Sequence, residues 1–204
     1  TVTGVQTCAL PIYRESLEAI RDVVGGHFRI CAVTDHEGEI ELTQSNHPYW
    51  SSLRPEGDPY WQRINNLSTA KSVVPATTLD ALRRELNIEP PFLIKLDVQG
   101  GELNVLRGAR EVLADTPVVI CESDVGDFQN INTALVEMGF VLYDVVHLER
   151  LPDGTLCWFY PIYVSRALAS VLPKNFWDAK DNDTFIRFQE QRRSEEHTSE
   201  LQSP

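Results

Sequence analysis

The sequence predicts an α/β fold whose mostly parallel sheet ends in an antiparallel hairpin. Three observations carry this. Apolar runs of strand length alternate with segments of helical period along the middle of the chain. The run FLIKLDV at 92–98 passes through a Gln-Gly-Gly turn into a helix-period pattern, a strand-turn-helix unit with its acids at the strand's carboxyl end. Finally, Pro152-Asp153-Gly154 separates two strand-like runs, as a hairpin turn does.

In order, residues 15–24 place Leu17, Ile20, Val23 and Val24 at helical spacing, with Gly25-Gly26 as the stop. Residues 28–33 (FRICAV) predict a strand, and 39–42 a hairpin return after Asp35-His36-Glu37-Gly38. A short extended segment is expected at 72–75. Thr77-Thr78-Leu79-Asp80 then gives a capping pattern for a helix with Leu79, Leu82 and Leu86 on one face. A single helix is expected over 102–113. The apolar run PVVICE at 117–122 predicts a strand covered on both faces. An acidic turn at 123–127 leads to a helix over 128–138, with Phe128, Ile131, Leu135 and Met138 inward and Gly139 as its cap. Strands at 140–146 and 155–164 complete the hairpin. One domain suffices for this length.

The two ends read differently. Residues 2–12 (VTGVQTCALPI) and 193–203 (RSEEHTSELQS) look like translated linker DNA: the back-translated tail, reverse-complemented and read in another frame, yields the head. Such segments carry no fold information. The expected organisation is therefore an adapter-like segment over 1–12, a domain over 13–164, a polar extension over 165–192 and a second adapter-like segment over 193–204.

The chain carries 18 Lys+Arg against 30 Asp+Glu, a net charge of -12; without the two ends the balance is 17 against 27, or -10. An acidic chain without a basic cluster excludes non-specific nucleic-acid binding, which needs a phosphate-neutralising stripe. Cys31, Cys121 and Cys157 are widely spaced and form no CxxC pair, so reduced thiols in a cytoplasmic protein are expected. No apolar stretch approaches the roughly 18 residues of a membrane span. Residues 43–71 are rich in Pro, Ser and Asn and contain Pro-Tyr-Trp twice, with Tyr49, Trp50, Tyr60 and Trp61. These rings either line a wall for a flat-faced substrate such as a sugar or anchor the loop on the sheet, and anchoring is the plainer reading.

The stretch Leu93-Ile94-Lys95-Leu96-Asp97-Val98-Gln99-Gly100 is preceded by Thr78-Leu79-Asp80 and followed by Glu102-Leu103 and Val105-Leu106-Arg107-Gly108-Ala109. In these motifs the chain resembles the FkbM-type methyltransferases, over a span from Leu17 to about Val164. The resemblance implies a Rossmann-like sheet, S-adenosylmethionine as cofactor, and methylation of a hydroxyl on a small-molecule sugar or natural product. It also implies a first strand, a glycine-rich loop and an acid after the second strand, all ahead of Tyr13, where adapter-like sequence stands. The expected fold thus lacks its first strands, and the fragment is expected to be inactive or poorly soluble. Ala32 and Val33, on the adenine side, and Asp97, facing the methyl group, are the cofactor contacts it implies. Gly101 stands where the family commonly has alanine.

Methyl transfer to a hydroxyl needs the acceptor held in line and a base for its proton. Asp97, Glu102 and Glu122, acids at strand and turn tips, are the candidates. Each also has a structural reading: Asp97 as a turn cap, Glu102 as an acid at the positive end of its helix, Glu122 as a solvated strand end. Lys95, inside an apolar strand, pairs with a neighbouring acid or snorkels. Glu122, Asp124 and Asp127 have no histidine at ligand spacing, which argues against a metal site. Two other classes remain open from the residues: a nicotinamide-dependent oxidoreductase, which would show GxGxxG upstream, and a non-catalytic α/β interaction module.

Overall fold

The computed structural model describes residues 5–6, 14–24, 27–45, 52–54 and 69–172. Tyr49, Trp50, Tyr60 and Trp61, and the expected extension beyond 172, lie outside the described residues. The architecture is mixed α/β with two mixed sheets.

The first sheet is built from β3 (Ala32–Val33), β4 (Gly38–Ser45) and β5 (Thr69–Thr77), in the order β3-β5-β4. β3 runs parallel to β5, and β4 runs antiparallel to it from Gly38↔Ala76 to Ser45↔Thr69. The hairpin return expected after residue 33 is therefore corrected: β5 sits between the two strands, and the short segment expected at 72–75 is nine residues long. The strand expected over 28–33 is also divided. β2 (His27–Phe28) pairs in parallel with β1 (Val5–Gln6), which lies in the stretch read as adapter-like, whereas β3 joins the larger sheet. Between them Arg29 turns aside to an ion pair with Glu85. The helix preceding these strands, α1 (Arg14–Val24), buries Leu17 and leaves Val23 exposed.

The second sheet holds β6 (Leu93–Leu96), β7 (Val118–Cys121), β8 (Ser123–Asp124), β9 (Phe140–Val146) and β10 (Trp158–Ser165). β6 pairs in parallel with β7; β10 pairs antiparallel with β7 and β8 along one edge and with β9 along the other. Four helices accompany it: α2 (Leu79–Leu86), α3 (Glu102–Arg107), α4 (Arg110–Ala114) and α5 (Val125–Glu137). A four-residue helix, α6 (Arg166–Ala169), follows in sequence. The acidic turn expected at 123–127 is instead the strand β8 and the start of α5, capped by Asp124, which accepts from the Asp127 N–H at 2.8 Å.

Side chains alternate along β6: Ile94 and Leu96 are buried, while Leu93 and Lys95 face out. The buried set joins Val98, Val119, Cys121, Tyr163 and Phe140 with Leu82, Val105, Leu106, Val112, Ile131 and Leu135 of the helices in one core. Burial along β7 likewise alternates, Val119 and Cys121 complete and Val118 and Ile120 partial. The expectation of a strand covered on both faces holds in part: Val119 and Cys121 are fully buried on the core face, and Val118 and Ile120 on the other face are half-buried.

The Thr78-Leu79-Asp80 motif has a division of labour. Thr78 caps its own helix, accepting from the Ala81 N–H at 3.0 Å. Asp80 caps a different one: its carboxylate accepts from the Glu111 and Val112 N–H groups at 3.1 and 2.9 Å, at the start of α4, whose own cap residue Ala109 contributes no side-chain bond. Asp80→Ala is therefore expected to cost about 1–2 kcal/mol of stability, the value of a lost N-cap. Urea denaturation followed by far-ultraviolet circular dichroism checks it.

Candidate functional site

The end of β6 is shaped by a turn with two consecutive left-handed residues, Gln99 (φ 54°) and Gly100 (φ 94°). Glycine adopts that geometry freely, whereas glutamine there is unfavourable and has to be held by its surroundings. Glu102 supplies the hold. Its carboxylate, on a residue 4 % exposed, accepts from the Val98 N–H at 3.0 Å and the Gly100 N–H at 2.9 Å. Burial raises its pKa above the ordinary value, and the backbone donors and nearby Arg54 offset that in part. A second clasp comes from 52–54: the Ser52 hydroxyl donates to the Gln99 carbonyl, and Arg54 pairs with Asp124 at 3.3 Å and with Asp127.

With the turn so fixed, three residues from three strands meet. The register Leu96↔Cys121, continued by one step, sets Asp97 beside Glu122. The register Ile162↔Ile120, continued by two, sets Tyr160 on the other side of Glu122. The Tyr160 hydroxyl donates to Asp97 Oδ2 at 3.0 Å and lies 3.4 Å from Glu122 Oε1. The Gln99 amide closes the opposite side, donating to Asp97 Oδ1 at 3.0 Å and Glu122 Oε2 at 2.8 Å. Lys95 Nζ donates to Asp97 Oδ2 at 2.7 Å and lies 5.0 Å from the centre of the Tyr160 ring. The two acids stand at the carboxyl ends of the parallel strands β6 and β7, on the face opposite the core, and Tyr160 joins them from the antiparallel β10.

The electrostatics separate the two acids. Burial pushes the Asp97 pKa upward, but the Lys95 ammonium and the hydrogen bonds from Glu122 and Tyr160 outweigh it, leaving Asp97 below its ordinary value. Glu122 is raised to about 8 by burial first and then by the Asp97 charge. Burial and the two carboxyl groups also push the Tyr160 hydroxyl upward. The two shifts run in opposite directions, so the pair favours one proton between its two acids, with the negative charge drawn toward Asp97 by Lys95.

This has a consequence for stability. Glu122 binds its proton more tightly in the folded chain than in the unfolded one. Its contribution is complete below pH 4.5 and is lost as pH rises to about 8. Asp97 acts in the opposite sense, and only at more acid pH. Glu122→Gln is expected to flatten the fall in Tm between pH 4.5 and about 8, which thermal melts across that range measure directly.

Of the residues read from the sequence, Asp97 and Glu122 come together. Glu102 lies beneath them, engaged with the turn. Ala32 and Val33 belong to the other sheet, with fully buried side chains. Lys95 pairs with an acid, one of its two expected states. No sequence motif marks Tyr160; the signal it carries is its alternation with Phe159 and Pro161, which places it on the face opposite the core. Among the described residues no group of three or more His, Cys, Asp or Glu side chains is arranged to hold a metal ion. A cleft of about 420 Å³ lined by Glu18, Arg21, His27, Phe28, Arg29 and Ile30 shares none of the acid-row residues. No helix among the described residues is long and apolar enough to cross a membrane.

No curated protein and no solved structure gives a significant match to the chain. A family model does: the methyltransferase FkbM domain matches residues 15–142, more than half of the chain, including Ala32, Val33, Asp97, Glu102 and Glu122. The chain therefore belongs to the FkbM methyltransferase family.

Proposed function

We propose that the chain forms the acceptor side of a site that moves a methyl group from S-adenosylmethionine to a hydroxyl of a sugar or secondary metabolite. The observation that carries the reading is the acid row: a carboxylate and a carboxylic acid side by side at the carboxyl ends of adjacent strands, in a chain of this family. Open α/β sheets bind their ligands at that edge. When bound, S-adenosylmethionine supplies an electrophilic methyl group on a sulfonium cation. Asp97, kept ionised, suits such a cation and is the base for the acceptor hydroxyl, whose proton it takes up. Protonated Glu122 offers the acceptor oxygen a hydrogen-bond donor. Glu102 shapes the turn and takes no proton. Ala32 and Val33 are buried whole, backbone included, so neither offers the adenosine part an accessible surface. Free Cys121 and Cys157 support a cytoplasmic setting.

The experiment is transfer of isotopically labelled methyl from S-adenosylmethionine to a panel of monosaccharides and hydroxylated natural products, by the chain joined to the cofactor-binding strand and glycine-rich loop that the family resemblance implies. Label in a base-stable ether is expected. Label confined to amines or to base-labile esters, or no transfer to any hydroxyl, would overturn the reading.

A further inference from the structure

Tyr160 lies beyond the span that carries the family match, and comes to the site from β10, 63 residues from Asp97 and 38 from Glu122 in sequence. Its hydroxyl reaches both acids, and the Gln99 amide reaches the same two acids through their other oxygens. The two carboxyl groups are thus bridged by the same two donors, and acids held that close repel each other when both are ionised, which favours a proton on one of them. The ring is held in turn: the Lys95 ammonium lies over it at 5.0 Å, and the His147 ring meets it edge-on at 5.6 Å.

We infer that Tyr160 is a positioning residue whose hydroxyl, with the Gln99 amide, holds Asp97 and Glu122 as an acid pair sharing one proton. Its use in catalysis rests on the methyl-transfer reading; the pair itself does not. A shared proton leaves the pair a single negative charge, so one member can accept a hydroxyl proton while the other donates a hydrogen bond. Tyr160 supplies a hydrogen bond to the charged state of either acid, which keeps that charge on the pair at neutral pH. The groups acting on the pair are Lys95 from β6, Glu102 from α3, Cys121 beneath it in β7, Tyr160 from β10, and His147 behind the Tyr160 ring.

The test is carboxyl-carbon NMR titration of the full chain without cofactor, in wild type, Tyr160→Phe and Tyr163→Phe. Tyr163 makes the same chemical change available as a control, because its hydroxyl meets Asn132 at 3.3 Å instead of the acids. In wild type Asp97 and Glu122 are expected to titrate as a coupled pair in two separated steps. Tyr160→Phe should move both steps to higher pH, because each acid loses a donor to its ionised form, and Tyr163→Phe should leave them in place. Independent titration of the two acids in wild type, unmoved steps in Tyr160→Phe, or equal movement in Tyr163→Phe would each overturn the inference. Shifted steps in a chain that methylates no hydroxyl would refute the proposed function and leave the acid pair standing. Methyl transfer with unmoved steps would refute the pair alone.

Discussion

Asp97→Asn, in the chain joined to the cofactor-binding strand and loop, is expected to lower methyl transfer about 10²–10⁴-fold, the range associated with removing a general base, with the fold intact. The amide has the shape of the carboxylate and can still accept from Lys95 or Tyr160, but it cannot take a proton from a hydroxyl. The same substitution removes the negative charge that helps hold Glu122 at about 8. The Glu122 midpoint is therefore expected to fall in the variant, a change that NMR titration reads without any cofactor. A lost turnover with a lowered Glu122 midpoint is the signature of a removed base in an otherwise native site. Unchanged turnover removes Asp97 from that role.

What the sequence made legible was local. Helical spacing, a capping threonine and a Pro-Asp-Gly turn act within a few residues of themselves, and α1, the Thr78 cap and the strand at 140–146 follow from them. The acids at the tip of 92–98 were likewise visible, since a strand's carboxyl end is marked by the turn that follows it. What was not legible depends on partners far along the chain. The insertion of β5 between β3 and β4 is decided by pairing across the 46–68 interval, and no turn signal announces it. Asp80 looked like part of its own helix's cap and serves the helix that starts 30 residues later. Tyr160 reached the acid row through strand register, a property of three strands together.

The break between α3 and α4 is the clearest case of a distant partner overruling a local pattern, and it gives the second large expectation. Residues 102–113 keep a helical period throughout, yet the helix stops at Gly108. At that point the backbone beyond β3 makes a close approach. A Cβ on Gly108 would press into the backbone carbonyl of Thr34, 3.2 Å from its carbon and 3.1 Å from the Asp35 Cα. Thr34 is fully buried and its N–H is bonded to the Thr77 carbonyl at 2.9 Å, so that backbone has little room to retreat. Gly108 itself has an ordinary φ of -89°, so propensity alone would make alanine stabilising, by about 0.4–1 kcal/mol. Overpacking against rigid backbone is the larger effect, about 1–3 kcal/mol or more, and reverses the sign. Gly108→Ala is expected to lower the urea midpoint markedly. Gly101→Ala is the matched control. There the added Cβ would meet the end of the Leu53 side chain at 2.9 Å, a group that can rotate away, and near-neutral stability is expected. Equal effects at the two glycines would show that the Thr34 contact yields as easily as a leucine methyl, and that the helix break has another origin.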